Sequence, residues 1–182
     1  MVTCEEFERL ALAEKISPWC ELIDGEVVDR MSGGYVHSLI STNFVVIMSE
    51  FVRAAGIGRV LTNEAGLHIR SDLPRSRGAD VAYLSFKRMP KGERYEGFLR
   101  IAPELIVEVF GQKDSWEDME DKIRDYHNTG VDMVWVAEPQ TRTVKTFPRA
   151  GQPEVVHDGA DIDGGEILPG FKVPIARFFD DE

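Results

Sequence analysis

Two short apolar segments of this chain each contain a single carboxylate. Glu108 lies within Leu-Ile-Val-Glu-Val-Phe at residues 105–110, and Asp80 lies within Ala-Asp-Val-Ala-Tyr-Leu at residues 79–84. Runs this short and this apolar are typical of buried strands. A lone carboxylate in such a place is costly, so it has to be paired, protonated or bound to a metal ion. The two segments therefore predict a sheet that carries an acidic site.

The chemistry of that site follows from the residue types. Carboxylates on two neighbouring strands supply the oxygen ligands that Mg²⁺ and similar cations prefer. Alternation along a strand places Glu108 on the face of Ile106 and Phe110. Lys122 lies on the next predicted helix, and two acids with a lysine are sufficient to hydrolyse a phosphodiester with a divalent cation. We expect Asp80 and Glu108 to share one ion, with their carboxyl groups about 4–6 Å apart.

Structural alternatives exist for each of these residues. Asp80 or Glu108 alone is also compatible with a buried pair with an arginine. Lys122 borders an apolar helical stripe, and the spacing alone favours a surface lysine paired with Asp118 or Asp125. The sequence contains no GxGxxG, P-loop, GxSxG, HExxH or CxxC motif, so other common catalytic chemistries lack support.

Size and charge limit the possible functions. The chain has 182 residues, which predicts one domain over residues 1–182. Its net charge of −11 argues against a general nucleic-acid coat. However, residues 70–100 hold eight basic and four acidic side chains around Asp80. This segment is either a solvated loop or a rim that faces phosphate groups.

Two cysteines and no apparent secretory signal favour a reducing, cytoplasmic location. The longest apolar run near the N-terminus, residues 44–48, is too short to span a bilayer, so we expect no membrane partner.

The order of elements predicts an α/β protein with a mixed β-sheet core flanked by helices. Thr3 caps a first helix that runs to about Glu14, and Asp24-Gly25 joins an N-terminal antiparallel hairpin. A long helix should end near Ala55. Short strands are expected at residues 59–61 and 66–70, followed by a turn at 72–77. The strand with Glu108, a helix between Ser115 and Gly130, and a strand at 133–137 form a βαβ unit, before a hairpin strand at 143–147 and a turn-rich tail.

Several motifs occur in an order that resembles a known family. They are Glu-Leu-Ile-Asp-Gly-Glu at residues 21–26, His37, residues 77–85 around Asp80, residues 102–109 around Glu108, Lys-Ile-Arg-Asp-Tyr at 122–126, residues 130–136 and Leu-Pro-Gly-Phe at 168–171. The set is similar to the Uma-two family of restriction-endonuclease-like proteins, in the PD-(D/E)xK nuclease superfamily. The resemblance covers nearly the whole chain.

The resemblance implies a restriction-endonuclease-like fold with Asp80 and Glu108 as metal ligands. Most such nucleases have the lysine two residues after the second acid, where this chain has Phe110. The family pattern places the lysine on the following helix, at Lys122, although Lys113 competes for the role. By the same resemblance Glu21 and His37 are auxiliary site residues.

The expected function is therefore a Mg²⁺- or Mn²⁺-dependent DNA endonuclease that acts as a homodimer. One rival is a catalytically inactive protein on a nuclease fold that binds nucleic acid or a partner. A second rival is a structural subunit whose buried acids form ion pairs. Metal-dependent cleavage separates the first rival from the enzyme, and arginine–carboxylate pairs at a metal-free site favour the second.

Overall fold

The computed structural model describes residues 1–30 and 33–180, without the side chains of residues 63 and 64. Its helices are α1 (Cys4–Leu12), α2 (Tyr35–Ala55), α3 (Trp116–Thr129) and α4 (Ala176–Phe179). Its strands are β1 (Cys20–Ile23), β2 (Glu26–Asp29), β3 (Gly58–His68), β4 (Ser76–Ser85), β5 (Leu105–Val109), β6 (Met133–Glu138), β7 (Thr143–Pro148), β8 (Glu154–Val156), β9 (Asp161–Asp163) and β10 (Lys172–Pro174).

Most of the strands form one mixed sheet in the order β2-β1-β4-β5-β6-β7-β8, and β3 also pairs with β4. The pair β5–β6 is parallel and is connected by α3, as the βαβ pattern predicted. The other described pairs in this sheet are antiparallel. The turn-rich tail adds a small antiparallel sheet of β9 and β10. The predicted α/β class with an N-terminal hairpin is confirmed.

The helix ends follow local capping chemistry. The Thr3 hydroxyl accepts a hydrogen bond from the Glu6 amide at 3.1 Å, which starts α1. The Ser115 hydroxyl does the same for the Asp118 amide at 3.1 Å and starts α3. Gly130 ends α3 in the left-handed conformation, with φ of 113°. These boundaries agree with the sequence prediction because caps depend on few residues.

Helices cover both faces of the sheet. The cluster on one face joins α2 to Val81, Val107 and Trp135. The cluster on the other face joins α3 to Ala82 and Ile106. By length and composition α2 also qualifies as a candidate membrane span, with a mean hydropathy of 1.2. The core helix of a folded domain meets the same criterion, and α2 buries one apolar side against the sheet.

One part of the strand prediction was wrong. Two short strands were expected at residues 59–61 and 66–70, but β3 is one strand from Gly58 to His68. Its register with β4 shifts between Thr62 and Ala65, so two residues of β3 oppose Asp80. This β-bulge absorbs the extra residue and lets the strand continue. The predicted turn at 72–77 is also shorter, because β4 starts at Ser76.

The opposite edge of β4 is shared by two strands. β1 pairs with it at Leu22 and Ser76, whereas β5 pairs with it from Val81 to Tyr83. Residues 77–80 of β4 therefore lie between the ends of β1 and β5, and we call this segment the notch. Side-chain hydrogen bonds link the notch to its neighbours. The Asp80 carboxylate accepts from the Val109 amide of β5 at 2.8 Å, and the Tyr126 hydroxyl of α3 contacts the Gly78 carbonyl at 3.0 Å.

Arg77 connects three elements around the notch. Its side chain is only 3% exposed. Nη1 donates to Glu21 of β1 at 3.0 Å, Nε donates to Asp125 of α3 at 2.8 Å, and Nη2 donates to Asp121 at 2.7 Å. The first hairpin and α3 are thus fixed to β4 through one guanidinium group.

Replacing Arg77 with Met should lower the free energy of unfolding by about 3–5 kcal/mol, because loss of one partner leaves buried carboxylates uncompensated. Chemical denaturation measures this change. Arg124→Met is the matched control, since Arg124 also donates to Asp121, at 3.1 Å, but is 64% exposed. The control should cost only about 0–1 kcal/mol. Equal, small losses for both variants would contradict the structural role of Arg77.

Candidate active site at the notch of β4

Asp80 reaches out of β4 towards two other elements. Its Oδ2 accepts a hydrogen bond from the backbone amide of Val109 at 2.8 Å and lies 3.2 Å from Nε2 of His37, near the start of α2. A buried arginine partner was one alternative for Asp80, but no arginine pairs with Asp80 in the described part of the chain. The other oxygen, Oδ1, accepts no hydrogen bond from the residues that the structure describes. Asp80 is 8% exposed, so this oxygen lies at the margin of the core.

Glu108 is more deeply buried, with 2% of its surface exposed. Its Oε1 lies 2.7 Å from the hydroxyl of Tyr126, and its Oε2 accepts from Nζ of Lys122 at 2.8 Å. Burial raises the pKa of Glu108 to about 8, and the charge of Asp80 adds to this rise. Lys122 and Tyr126 oppose the rise, but less strongly.

Tyr126 holds Glu108 against the notch. The tyrosine hydroxyl lies 2.7 Å from Glu108 Oε1 and 3.0 Å from the Gly78 carbonyl oxygen. A phenol has one proton and a carbonyl only accepts, so this hydroxyl donates to one of the two acceptors at a time. Donation to the carboxylate favours the charged form of Glu108 and opposes the effect of burial on its pKa.

Lys122 points into the site. Its ammonium group lies 2.8 Å from Glu108 and 3.6 Å from Glu21. Burial is the largest effect on the pKa of Lys122 and lowers it, but the charges of Glu108, Tyr126, Glu21 and Asp80 together outweigh burial and raise the pKa well above its ordinary value. Lys122 is thus a cation at neutral pH.

Among the described residues, Lys122 pairs with neither Asp118 nor Asp125. Asp125 binds Arg75 and Arg77, while Asp118 takes part in the N-terminal cap of α3. Lys113, the competing lysine, is exposed. The described ion pairs of Lys122 are therefore with the site acids.

Glu21 holds the lysine from the other side. It is 4% exposed and accepts from Arg77 and Arg30, each at 3.0 Å. Burial raises its pKa, but Lys122, Arg77 and Arg30 together lower it to about 2. Glu21 therefore stabilises the folded state above pH 4.5, and this contribution is lost as the pH falls through about 2.

The five residues singled out from the sequence lie together. Continuing the register of Val81 with Val107 by one step places Asp80 opposite Glu108. Lys122 and Glu21 adjoin Glu108, and His37 adjoins Asp80. Glu108 lies on the side of Ile106 and Phe110, as alternation predicted.

Sequence reasoning missed two residues of the arrangement. Tyr126 was identified as part of an apolar stripe and of a family motif, and Arg77 as the end of a turn and the start of another motif, but neither was expected to contact the site acids. Tyr126 follows Lys122 by four residues, so both side chains lie on one side of α3. That spacing was the available signal for Tyr126. For Arg77 there was none, because its partners come from distant parts of the chain.

The donor set limits which metal ion fits. Among the described side chains there is no group of three or more His, Cys, Asp and Glu residues arranged to hold a metal. Mg²⁺ often uses one or two carboxylates and keeps water or phosphate oxygens as its other ligands. Asp80 and Glu108 are hard oxygen donors whose charges repel each other, as the raised pKa of Glu108 indicates. These two residues fit such a cation.

Comparisons with known proteins agree with this fold. The chain is similar to a protein from Anabaena variabilis ATCC 29413, whose crystal structure is described as "a putative nuclease belonging to DUF820". The TM-score is 0.80 at 22% identity, and the alignment covers 98% of each chain, which establishes the fold. A search of curated proteins found no match.

A match to a family model identifies the family of the chain. The model of the Uma2 family, described as "Putative restriction endonuclease", matches residues 4–176. The match spans the hairpin, the notch, α3 and both strands that carry the acids. It confirms the resemblance seen in the ordered motifs of the sequence. This chain belongs to the Uma2 family.

Proposed function

We propose that this protein is a divalent-metal-dependent endonuclease that hydrolyses phosphodiester bonds in DNA. The observation that carries the proposal is the position of Lys122, whose ammonium group contacts Glu108 at 2.8 Å beside the opposed Asp80. Family membership supports nuclease chemistry in general, and the geometry gives each residue a role.

The carboxylates of Asp80 and Glu108 would hold Mg²⁺ or Mn²⁺. Such an ion supplies Lewis-acid polarisation of the phosphate and lowers the pKa of a bound water. The chain itself fixes both carboxylates: the Val109 amide orients Asp80 and the Tyr126 hydroxyl orients Glu108. His37 contacts Asp80 through Nε2 at 3.2 Å, so its part is to position that carboxylate.

Lys122 supplies the positive charge. Two buried carboxylates, Glu108 and Glu21, restrain its ammonium group, and their charge keeps it protonated. A fixed cation stabilises the negative charge that grows on a phosphate in the transition state, and it does so without reorganising at that moment. It also donates a hydrogen bond that can orient an attacking water.

One observation favours a second function. Lys122 and Tyr126 together occupy both oxygens of Glu108, so the described side chains satisfy this acid without a metal. A nucleic-acid-binding protein that has lost cleavage would keep this arrangement. Binding without metal-dependent cleavage distinguishes it from the enzyme.

Metal binding has a readout independent of activity. Mn²⁺ at about 100 times its dissociation constant should stabilise the wild-type protein by about 2.7 kcal/mol. Asp80→Asn should abolish this gain. In chelator the same variant should change stability by less than about 1 kcal/mol, because it removes a charge that repels Glu108. Thermal melts with Mn²⁺ and with chelator measure both effects.

The control for these melts is Glu50→Gln, an exposed acid on α2, which should keep the Mn²⁺ response. If Asp80→Asn instead lost several kcal/mol in chelator, Asp80 would be a structural partner. If it kept the full Mn²⁺ response, the ion would bind elsewhere.

Lys122→Met should lower the rate of DNA cleavage by about 10²–10³-fold, because it retains the aliphatic stem and removes the charge. The fold and the Mn²⁺ response should be retained, but the free energy of unfolding should fall because the buried Glu21 and Glu108 lose their shared cation. Cleavage of a labelled DNA substrate with Mg²⁺ or Mn²⁺ measures the rate. Lys113→Met is the matched variant and should cleave normally. The reverse pattern, with Lys113→Met inactive and Lys122→Met active, would transfer the role to Lys113.

A further inference from the structure

A second concave surface lies along β3, next to the candidate site. We call it the β3 groove; it has a volume of about 660 Å³ and lies between β3 and the loop of residues 86–97. Its volume is within the usual range for ligand clefts, about 300–1,000 Å³. The lining residues that matter here are Arg59, Thr62, Phe86, Lys91, Arg94 and Tyr95.

The β3 groove is positively charged in a strongly acidic protein. Lys91 and Arg94 are exposed, and neither forms an ion pair with any residue that the structure describes. Among the described residues, the Arg59 guanidinium donates to the backbone carbonyls of residues 89, 90 and 93 and pairs with no carboxylate. Glu93 is the acidic residue among the lining side chains that the structure describes. The net charge of the groove is therefore complementary to a polyanion.

The same surface holds a rigid aromatic ring. Tyr95 is 42% exposed, while its hydroxyl accepts a hydrogen bond from the Arg100 amide at 3.2 Å. Phe86 is half-buried, and the Arg59 guanidinium lies 5.1 Å from its ring centroid. Cationic side chains beside an exposed, anchored aromatic ring are the elements that bind nucleic-acid strands: cations track the phosphates and bases stack on the ring.

The β3 groove leads to the notch. Thr62 lines the groove, and its hydroxyl donates to the Asp80 carbonyl at 3.0 Å. Leu61 and Leu99 also line it, and both pack on the core cluster of α3, Ala82 and Ile106. The groove and Lys122 are therefore on the same face of the sheet. A DNA strand bound in the groove would therefore lie on the face of the sheet that carries Lys122.

We propose that the β3 groove binds a single-stranded segment of the DNA substrate, with Lys91 and Arg94 on its phosphates and a base stacked on Tyr95. This inference rests on the proposed function and assigns its substrate form. Stacking on Tyr95 requires an unpaired base, because bases inside a duplex already stack on each other and expose only their edges. A bubble, flap or end would supply such a segment.

Fluorescence anisotropy tests the inference with the wild-type protein in chelator, so that binding is measured without cleavage. The probes are a labelled single strand of about 12 nucleotides, a length suited to such grooves, and a duplex of equal length. The single strand should bind at least about tenfold more tightly than the duplex. Tyr95→Ala should weaken single-strand binding by about tenfold without changing its salt dependence.

The double variant Lys91→Ala, Arg94→Ala should make the slope of log binding constant against log salt concentration less steep by about 1.4. Each of the two lost phosphate contacts accounts for about 0.7 of this change. The matched control is Lys15→Ala, Arg53→Ala, two exposed cations outside the groove, which should leave the slope unchanged. Equal duplex binding, unaltered binding by the groove variants, or equally strong competition by a mononucleotide would overturn the inference.

The binding and cleavage assays distinguish failure of the groove proposal from failure of the catalytic proposal. Binding in chelator depends on the groove residues alone, whereas cleavage depends on Asp80, Glu108 and Lys122. Metal-dependent cleavage with no groove effect would reject this inference only. Single-strand binding with no cleavage would reject the catalytic proposal and leave the groove as a binding site.

Discussion

A chain of alternating charges holds the notch of β4 together. Arg77 binds Glu21, Glu21 faces Lys122, and Lys122 binds Glu108, with separations of 3.0, 3.6 and 2.8 Å. Each buried charge is costly alone and becomes tolerable because its neighbour is opposite in sign. The series connects β1, β4, β5 and α3, so the ion pairs that hold these elements together also set the geometry of the site. The rest of the site depends on this series.

The pKa values of the two glutamates in this series shift in opposite directions. Glu21 has three cationic neighbours, and its pKa falls to about 2. Glu108 is buried beside Asp80, and its pKa rises to about 8. Burial raises the pKa of both side chains, and the number of cationic neighbours decides the direction of the net shift. The opposite shifts follow from the surroundings, since the two side chains are identical.

The sequence was sufficient for the parts that depend on local chemistry. Apolar runs indicated the strands of Asp80 and Glu108, and capping residues gave the ends of α1 and α3. Position along α3 alone left Lys122 undecided between solvent and the site, and the distant partners Glu21 and Glu108 decide it. The bulge in β3 and the contacts of Arg77 were not predictable, because both depend on how β4 pairs with strands far away in the chain.

The most direct test is a crystal structure with Mn²⁺, in which anomalous scattering locates the ion. Our account predicts an anomalous peak within about 2.0–2.6 Å of carboxylate oxygens of both Asp80 and Glu108, with Lys122 still beside the site. No peak at the notch, with the contacts of Glu108 to Lys122 and Tyr126 unchanged in the presence of Mn²⁺, would contradict it.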